Sequence, residues 1–277
     1  MKKNPSRSPG EKADDSSIYT VPAVDRAARI MLMLASGTRE MTLAEVATAT
    51  GYHKSSVHKI LMTLCHHGFL NRDETSKHYS LGIALARCGQ VALDNLNVSR
   101  SAKAVLKDLS DFSGETANLA VLSGTKMIIV DAIEPLIELR VSPPIGTTDS
   151  VINKSNGKAV LAWMPEDLVN TIIKREGLPA NTKHSITDAK AYRKDLETVR
   201  AAGYAMDFEE FQDGISAVSA PIFDDEGHAV ATLSIVGPAF RMTKEKMHRF
   251  GQRCAKAAAQ LRMPGQASGQ HFAGRQP

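Results

Sequence analysis

The chain is poor in several features that would settle its class at once. Cysteine is scarce: Cys65, Cys88 and Cys254 lie far apart, with no CxxC pair. That excludes a disulfide framework and suits a reducing compartment. Cys65 is followed by His66 and His67. No further ligand stands at i,i+3 or i,i+4 spacing and no second cluster exists, so no metal is expected. No apolar run approaches 18 residues; Met127-Ile128-Ile129-Val130 is typical of the longest. A transmembrane helix is therefore excluded by length. Residues 1–17 lack the apolar stretch of a signal peptide. A cytoplasmic location without a membrane partner is expected. Neither sign of charge dominates: 34 Lys and Arg against 30 Asp and Glu leave a net +4. Composition alone thus does not announce a nucleic-acid binder. Aromatics make up 5%, with one Trp, but hydrophobic residues make up 43%, enough for real cores. The motifs G-x-S-x-G, G-x-G-x-x-G and G-x-x-x-x-G-K-[ST] do not occur. Hydrolase, dinucleotide and P-loop readings therefore lack support.

What is present starts with length. At 277 residues the chain exceeds a typical domain of about 100–200, so two domains are expected. Residues 1–82 hold 11 basic and 8 acidic residues, whereas the rest hold 23 and 22. The N-terminal third is therefore the part suited to a polyanion. Residues 1–17 are polar and read as a disordered arm. From Pro22, the residues Val24, Ala27, Ala28, Met31, Leu34 and Ala35 recur at helical steps until Ser36-Gly37. Thr42-Leu43-Ala44-Glu45 spells a capping box and opens a short helix that Gly51 closes. A third helix runs from about His53 to His67 and buries Val57, Ile60, Leu61 and Leu64. Two short strands, Phe69–Arg72 and His78–Leu81, flank the polar turn Asp73–Lys77. This order is a winged helix-turn-helix, assigned to residues 18–82.

The third helix carries the functional reading. Ser55, Lys59, Met62 and His66 lie on its outward face, with His58 beside them. No acid occurs in the 21 positions between Gly51 and Asp73. Phosphates repel carboxylates, so a helix entering a major groove needs that absence. Ser55 and Ser56 stand at the helix N-terminus, where hydroxyls and free amides suit a phosphate or a base edge. Lys54 and Lys59 add charge. Arg72 and Lys77 can touch the DNA backbone from the wing. With His58 and the capping Thr42, these residues are the candidate DNA contacts. The same unit can also act as a dimerisation or adaptor module, its Ser, Lys and His face merely solvated.

Residues 83–100 look like a linker helix and residues 101–264 like a second domain. A Gln/Gly-rich tail, 265–277, is expected to be disordered. An amphipathic helix at Ser101–Ser113 precedes strands at Thr116–Leu122, Lys126–Asp131 and Leu136–Val141. Helices follow at Ala159–Met164 and Pro165–Arg175, then one from a Thr187 cap to Ala202. Strands at Tyr204–Phe208, Ile215–Phe223 and His228–Val236 lead to a Thr243-capped helix ending near Arg262. Hairpin-linked strands favour an antiparallel sheet with flanking helices, so the fold class is α+β. Such a sheet suits a small-molecule pocket.

These residues, in order, resemble the IclR-type family of bacterial transcriptional regulators. Val24-Asp25-Arg26-Ala27, Leu43-Ala44-Glu45, Lys54–Leu61, Gly68-Phe69-Leu70 and Tyr79-Ser80-Leu81-Gly82 match its DNA-binding domain. Gly114–Leu119, Gly157-Lys158-Ala159, Gly203–Asp207, Gly214, Ala220-Pro221-Ile222 and Ser234–Pro238 match its effector domain. The match runs from about Val21 to Arg262. It implies a one-component transcription factor with a GAF- or PAS-like effector domain; a repressor rather than an activator is expected, and no cofactor. A small metabolite, an organic acid or related catabolic compound, would control it. The resemblance also implies a homodimer or a dimer of dimers on palindromic operator DNA. Carried over by position, the effector contacts are Ser155, Asn156, Gly157, Asp207, Ala217, Ser219 and Ser234. The chain departs from the family pattern in several places. His53 and Ser150 stand where Pro is common, and Ile152 where His is common. Ala217 replaces a frequent Cys, Val236 replaces a frequent Ser, and Lys154 adds a charge. The pocket chemistry is therefore this chain's own.

Read as residues alone, Asp207 and Glu209 fall on one face of a strand end. They suit hydroxyl or amide groups of a metabolite, acid–base chemistry, or plain solvent. Asn156 and Gly157 before a helix start resemble an anion seat, or an ordinary loop-to-helix junction with Lys158 exposed. Ser155–Lys158 also spells S-x-x-K, but S-D-N and K-T-G are missing. With no full catalytic set, an enzyme is not expected.

Overall fold

The computed structural model describes residues 20–36, 40–95, 99–152, 154–261 and 263. The arm at 1–17, the tail at 265–277 and the helix stop at Gly37 lie outside these residues. The chain divides into two units, the first reaching Cys88 and the second starting at Gly89.

The first unit holds α1 (Pro22–Ser36), β1 (Glu40–Thr42), α2 (Leu43–Thr50), α3 (Lys54–His66), β2 (Leu70–Arg72) and β3 (His78–Leu81). The three strands form an antiparallel sheet in the order β1-β3-β2. The capping box closes as its spelling requires. Thr42 Oγ1 accepts from the Glu45 amide at 3.3 Å, and Glu45 Oε2 accepts from the Thr42 amide at 2.7 Å. Gly51, at φ 70°, ends α2 in the left-handed region and lets the chain turn at once into α3. Ile30, Leu34, Val46, Val57, Leu61, Leu64, Leu70 and Tyr79 make one core. The buried stripe of α1 is rotated from its expected position. Ile30 is fully buried, whereas Val24 is 65% exposed. Ile30 and Leu34, one turn apart, set the face that packs. β1 has no apolar alternation of its own; its register opposite β3, Met41 against Tyr79, makes it a strand.

A helix α4 (Ile83–Asn95) carries the chain across the division, and α5 (Ser99–Ser113) follows it. The second unit continues with β4 (Thr116–Ser123), β5 (Lys126–Ile133), β6 (Thr148–Ser150), α6 (Ser155–Leu161), α7 (Glu166–Glu176) and α8 (Ala189–Ala202). It ends with β7 (Ala205–Phe208), β8 (Ile215–Phe223), β9 (Ala229–Pro238) and α9 (Lys244–Ala258). The sheet is antiparallel, in the order β6-β5-β4-β9-β8-β7, with β4 and β9 at its centre.

Side chains alternate across a sheet, and here the alternation separates two environments. Leu119, Val121, Val218, Ala220, Leu233 and Ile235 pack with Leu106 and Leu109 of α5 and Met247, Phe250 and Cys254 of α9. The interleaved residues pair Asn118 with Ser234 and Ser234 with Ser219, and place Asp207 opposite Ala217. α6 lies over this second face, with α8 packed beyond it.

In the second unit, four expectations about element bounds fail. Leu136–Val141 is not a strand: Pro135 precedes it, Pro143 and Pro144 follow it, and the edge of β5 pairs instead with Thr148–Ser150. A proline gives no ladder N–H, and Leu136 and Leu139 remain exposed. The cap of α8 is Asp188, whose carboxylate accepts from the Ala191 amide at 2.8 Å; Thr187 stands one residue outside. α9 stops at Ala258, short of Arg262. α6 begins at Ser155, four residues before its expected start, so Ser155, Asn156 and Gly157 are helical.

Candidate functional site

In the first unit, the eight candidate DNA contacts fall into two groups. Lys54, Ser55, His58 and Lys59 are exposed on α3. None has an ion pair or side-chain hydrogen bond to another described residue. Met62 and His66 continue the same exposed face. The other four are already engaged. The Thr42 hydroxyl donates to Glu45 Oε2 at 2.8 Å within the capping box. Ser56 Oγ accepts from Arg26 of α1 at 3.3 Å and ties the two helices together. Lys77 and Arg72 both face Glu74 at the wing tip. The free groups lie on the acid-free stretch, which is the arrangement a phosphate-lined groove requires. Among the described residues no three His, Cys, Asp or Glu side chains converge to hold a metal, Cys65-His66-His67 included.

In the second unit, the polar face of the sheet, α6 and the loop before β6 enclose a cavity of about 290 Å³. This lies at the small end of the ligand-site range of about 300–1,000 Å³. Ser155, Asn156, Asp207, Ala217, Ser219 and Ser234 all line it. Gly157 does not. A Cβ there would come 1.9 Å from the Val151 carbonyl oxygen, so the glycine lets α6 seat against the chain before it. Nor is the Gly157 amide a free anion seat, because it donates to Asn156 Oδ1 at 2.7 Å.

Three hydroxyls form a buried relay on the cavity wall. Ser155 Oγ lies 2.8 Å from Ser219 Oγ, which lies 2.7 Å from Ser234 Oγ. Beside them Asn118 is buried, and its Oδ1 has no partner among the described residues. Asp207 is buried, and its Oδ1 accepts the Glu210 amide at 2.7 Å. Burial first, and the Glu210 charge second, push its carboxyl up to about 6, against the pull of Lys158 and backbone amides. The expected pairing of Asp207 with Glu209 is wrong. Glu209 has φ 60° and leaves the strand, and its carboxylate accepts the Gly214 amide. The acid beside Asp207 is Glu210. Lys158, read as an exposed first-turn residue, has a side chain only 1% exposed. Its Nζ sits 2.7 Å from Glu210 Oε1 and 2.9 Å from Asp195 Oδ2. Burial pulls its ammonium down, but the two carboxylates together outweigh burial and keep it charged.

Sequence reasoning missed several lining groups: Asn118, Asp149, Phe211, Gln212 and the run Val141–Pro144. Asn118 was findable from register, as the neighbour of Ser234 across β4 and β9. Lys154, noted as an added charge, lines the cavity; its Nζ meets Asp149 Oδ2 at 2.6 Å and lies 3.8 Å from the Phe211 ring centre. Ala217 and Val236, both departures from the family pattern, are also lining residues.

A winged helix-turn-helix with a basic, acid-free helix face, joined in one chain to a sheet with a small cavity of mixed polarity, defines a ligand-responsive DNA-binding regulator. Residues 90–263 match the family described as Bacterial transcriptional regulator IclR C-terminal, and residues 23–74 match the IclR helix-turn-helix domain. The chain belongs to the IclR family of bacterial transcriptional regulators. It is 30% identical to the Transcriptional repressor IclR of Escherichia coli over 91% of this chain and 95% of that protein. It shares 32% identity with the structure of an IclR transcriptional regulator from Alicyclobacillus acidocaldarius. The TM-score is 0.80, over 87% of this chain and 98% of that one. An IclR homolog from Microbacterium hydrocarbonoxydans, complexed with 4-hydroxybenzoate, shares the fold. It has a TM-score of 0.74 at 18% identity, covering 85% of this chain and 97% of that one. The family consists of regulators, and this chain is one of them rather than an enzyme. Among the described residues no helix is long and apolar enough to cross a membrane.

Proposed function

We propose that the protein is a cytoplasmic repressor that binds a palindromic operator as a homodimer or a dimer of dimers. A small organic acid in the effector cavity sets its affinity. α3 enters the major groove through Lys54, Ser55, His58 and Lys59. A twofold pair of such helices meets half-sites about one DNA turn, roughly 34 Å, apart. Arg72 and Lys77 reach the backbone from the wing.

The mixed polarity of the cavity carries the choice of ligand. Among the described residues Lys154 is its one lining cation, stacked on Phe211 and matched to Asp149. A ligand carboxylate can replace Asp149 at that ammonium. Asp207, the orphaned Asn118 Oδ1 and the serine relay accept donors. A hydroxylated carboxylic acid satisfies both sets. The 4-hydroxybenzoate bound by the Microbacterium protein has the same two kinds of end.

The test is a thermal-shift screen of small hydroxy acids against their amides and deoxy analogues, followed by gel shifts on DNA upstream of the protein's own gene. A matching acid raises the melting temperature and changes operator affinity by about 5–150-fold. If no acid shifts melting and no specific complex forms at low salt, the reading fails. Lys59→Glu should abolish the complex without lowering the melting temperature; retained affinity would remove α3 from the groove.

A further inference from the structure

The wing tip is where acids and bases interleave in the DNA-binding unit. Arg72, Asp73, Glu74 and Lys77 fall within six positions. Asp73 is consumed by the turn itself: its Oδ1 accepts the amides of Thr75 at 2.9 Å and Ser76 at 2.6 Å. Lys77, at φ 58°, closes the turn through its amide on the Asp73 carbonyl at 2.9 Å. Glu74 has no such duty. Its side chain is 74% exposed, yet both its oxygens face cations. Oε2 lies 3.1 Å from Lys77 Nζ and Oε1 lies 3.5 Å from Arg72 Nη1. Arg72 also rests against the Tyr79 ring, 5.8 Å from its centre. Lys54 and Lys59 on α3 have no acidic partner among the described residues.

An exposed pair of this kind adds little to folding stability. Its effect near a polyanion is larger. The pairs must break before either cation can neutralise a phosphate, and the carboxylate then adds repulsion of its own. Phosphate contacts strengthen binding to every sequence, whereas base-edge contacts discriminate. We infer that Glu74 sets specificity by holding Arg72 and Lys77 off the phosphates, so that non-specific affinity is suppressed while the α3 contacts remain. The role is electrostatic, and it rests on the wing reaching the DNA backbone.

The test uses the full chain and a fluorescent mixed-sequence duplex of about three helical turns. Anisotropy titrations from about 50 to about 200 mM salt give the dependence of log affinity on log salt. Glu74→Gln should bind this duplex about three- to tenfold more tightly at the low-salt end, with a slope steeper by about one to two units. Its melting temperature should match the wild type. Adding Lys77→Gln to Glu74→Gln should remove about half the gain in slope, because each phosphate contact contributes about 0.9. A wild-type slope in Glu74→Gln would overturn the proposal. So would a gain that Lys77→Gln leaves intact.

Discussion

Leu233 and Ile235 of β9 face α5 and α9; Ser234, between them, faces α6 and the cavity. The two faces of the sheet thus come from the same strands and differ by a single step along the chain. One is aliphatic and closed. The other carries a serine relay, a buried acid and an unsatisfied amide oxygen. Period-two geometry lets one strand serve stability and recognition separately. The aliphatic face supplies the burial energy that tolerates unpaired polar groups behind it.

The largest test of that division is Leu233→Ala. It should cost about 2–5 kcal/mol in urea denaturation, from lost burial plus a cavity. A loss no greater than that of its neighbour's variant would erase the difference between the faces. Asp207→Asn comes next. The folded carboxyl keeps its proton up to about 6, above the ordinary Asp value of about 3.9. Its contribution is therefore full below about pH 4 and is lost as pH rises through about 6. Above that, Asp207→Asn should be more stable than wild type by about 2–3 kcal/mol, the gap closing at acid pH. A gap independent of pH would show that the carboxylate is not desolvated. Smallest is Ser234→Ala, which leaves Ser219 one partner and should cost about 1 kcal/mol. Its ligand affinity should fall further than its stability.

How much the sequence disclosed depended on the range of the interaction. The capping box and the Gly51 stop are local, and both appear as spelled. The acid-free helix face was also legible, since a helix's outward side follows from spacing. What failed depends on distant partners. Whether Ser56 is free turns on Arg26, thirty positions away. Whether Leu136–Val141 becomes a strand turns on which segment takes the edge of β5. Glu209 breaks the alternation because its backbone enters the left-handed region, which a carboxylate side chain does not announce. Six of the seven effector residues carried over by resemblance line the cavity, but Gly157 serves packing.

Lys158, Glu210 and Asp195 also bear on how this regulator can diverge. Replacing Lys158 alone leaves Glu210 and Asp195 facing each other without their shared cation, whereas replacing all three with matched apolar residues need cost nothing. A lineage moving by single substitutions therefore meets a valley at Lys158. The exposed Lys59 and the small lining residue Ala217 lie outside that constraint. Those two positions are open to stepwise change, while the buried lysine is held by its two carboxylates.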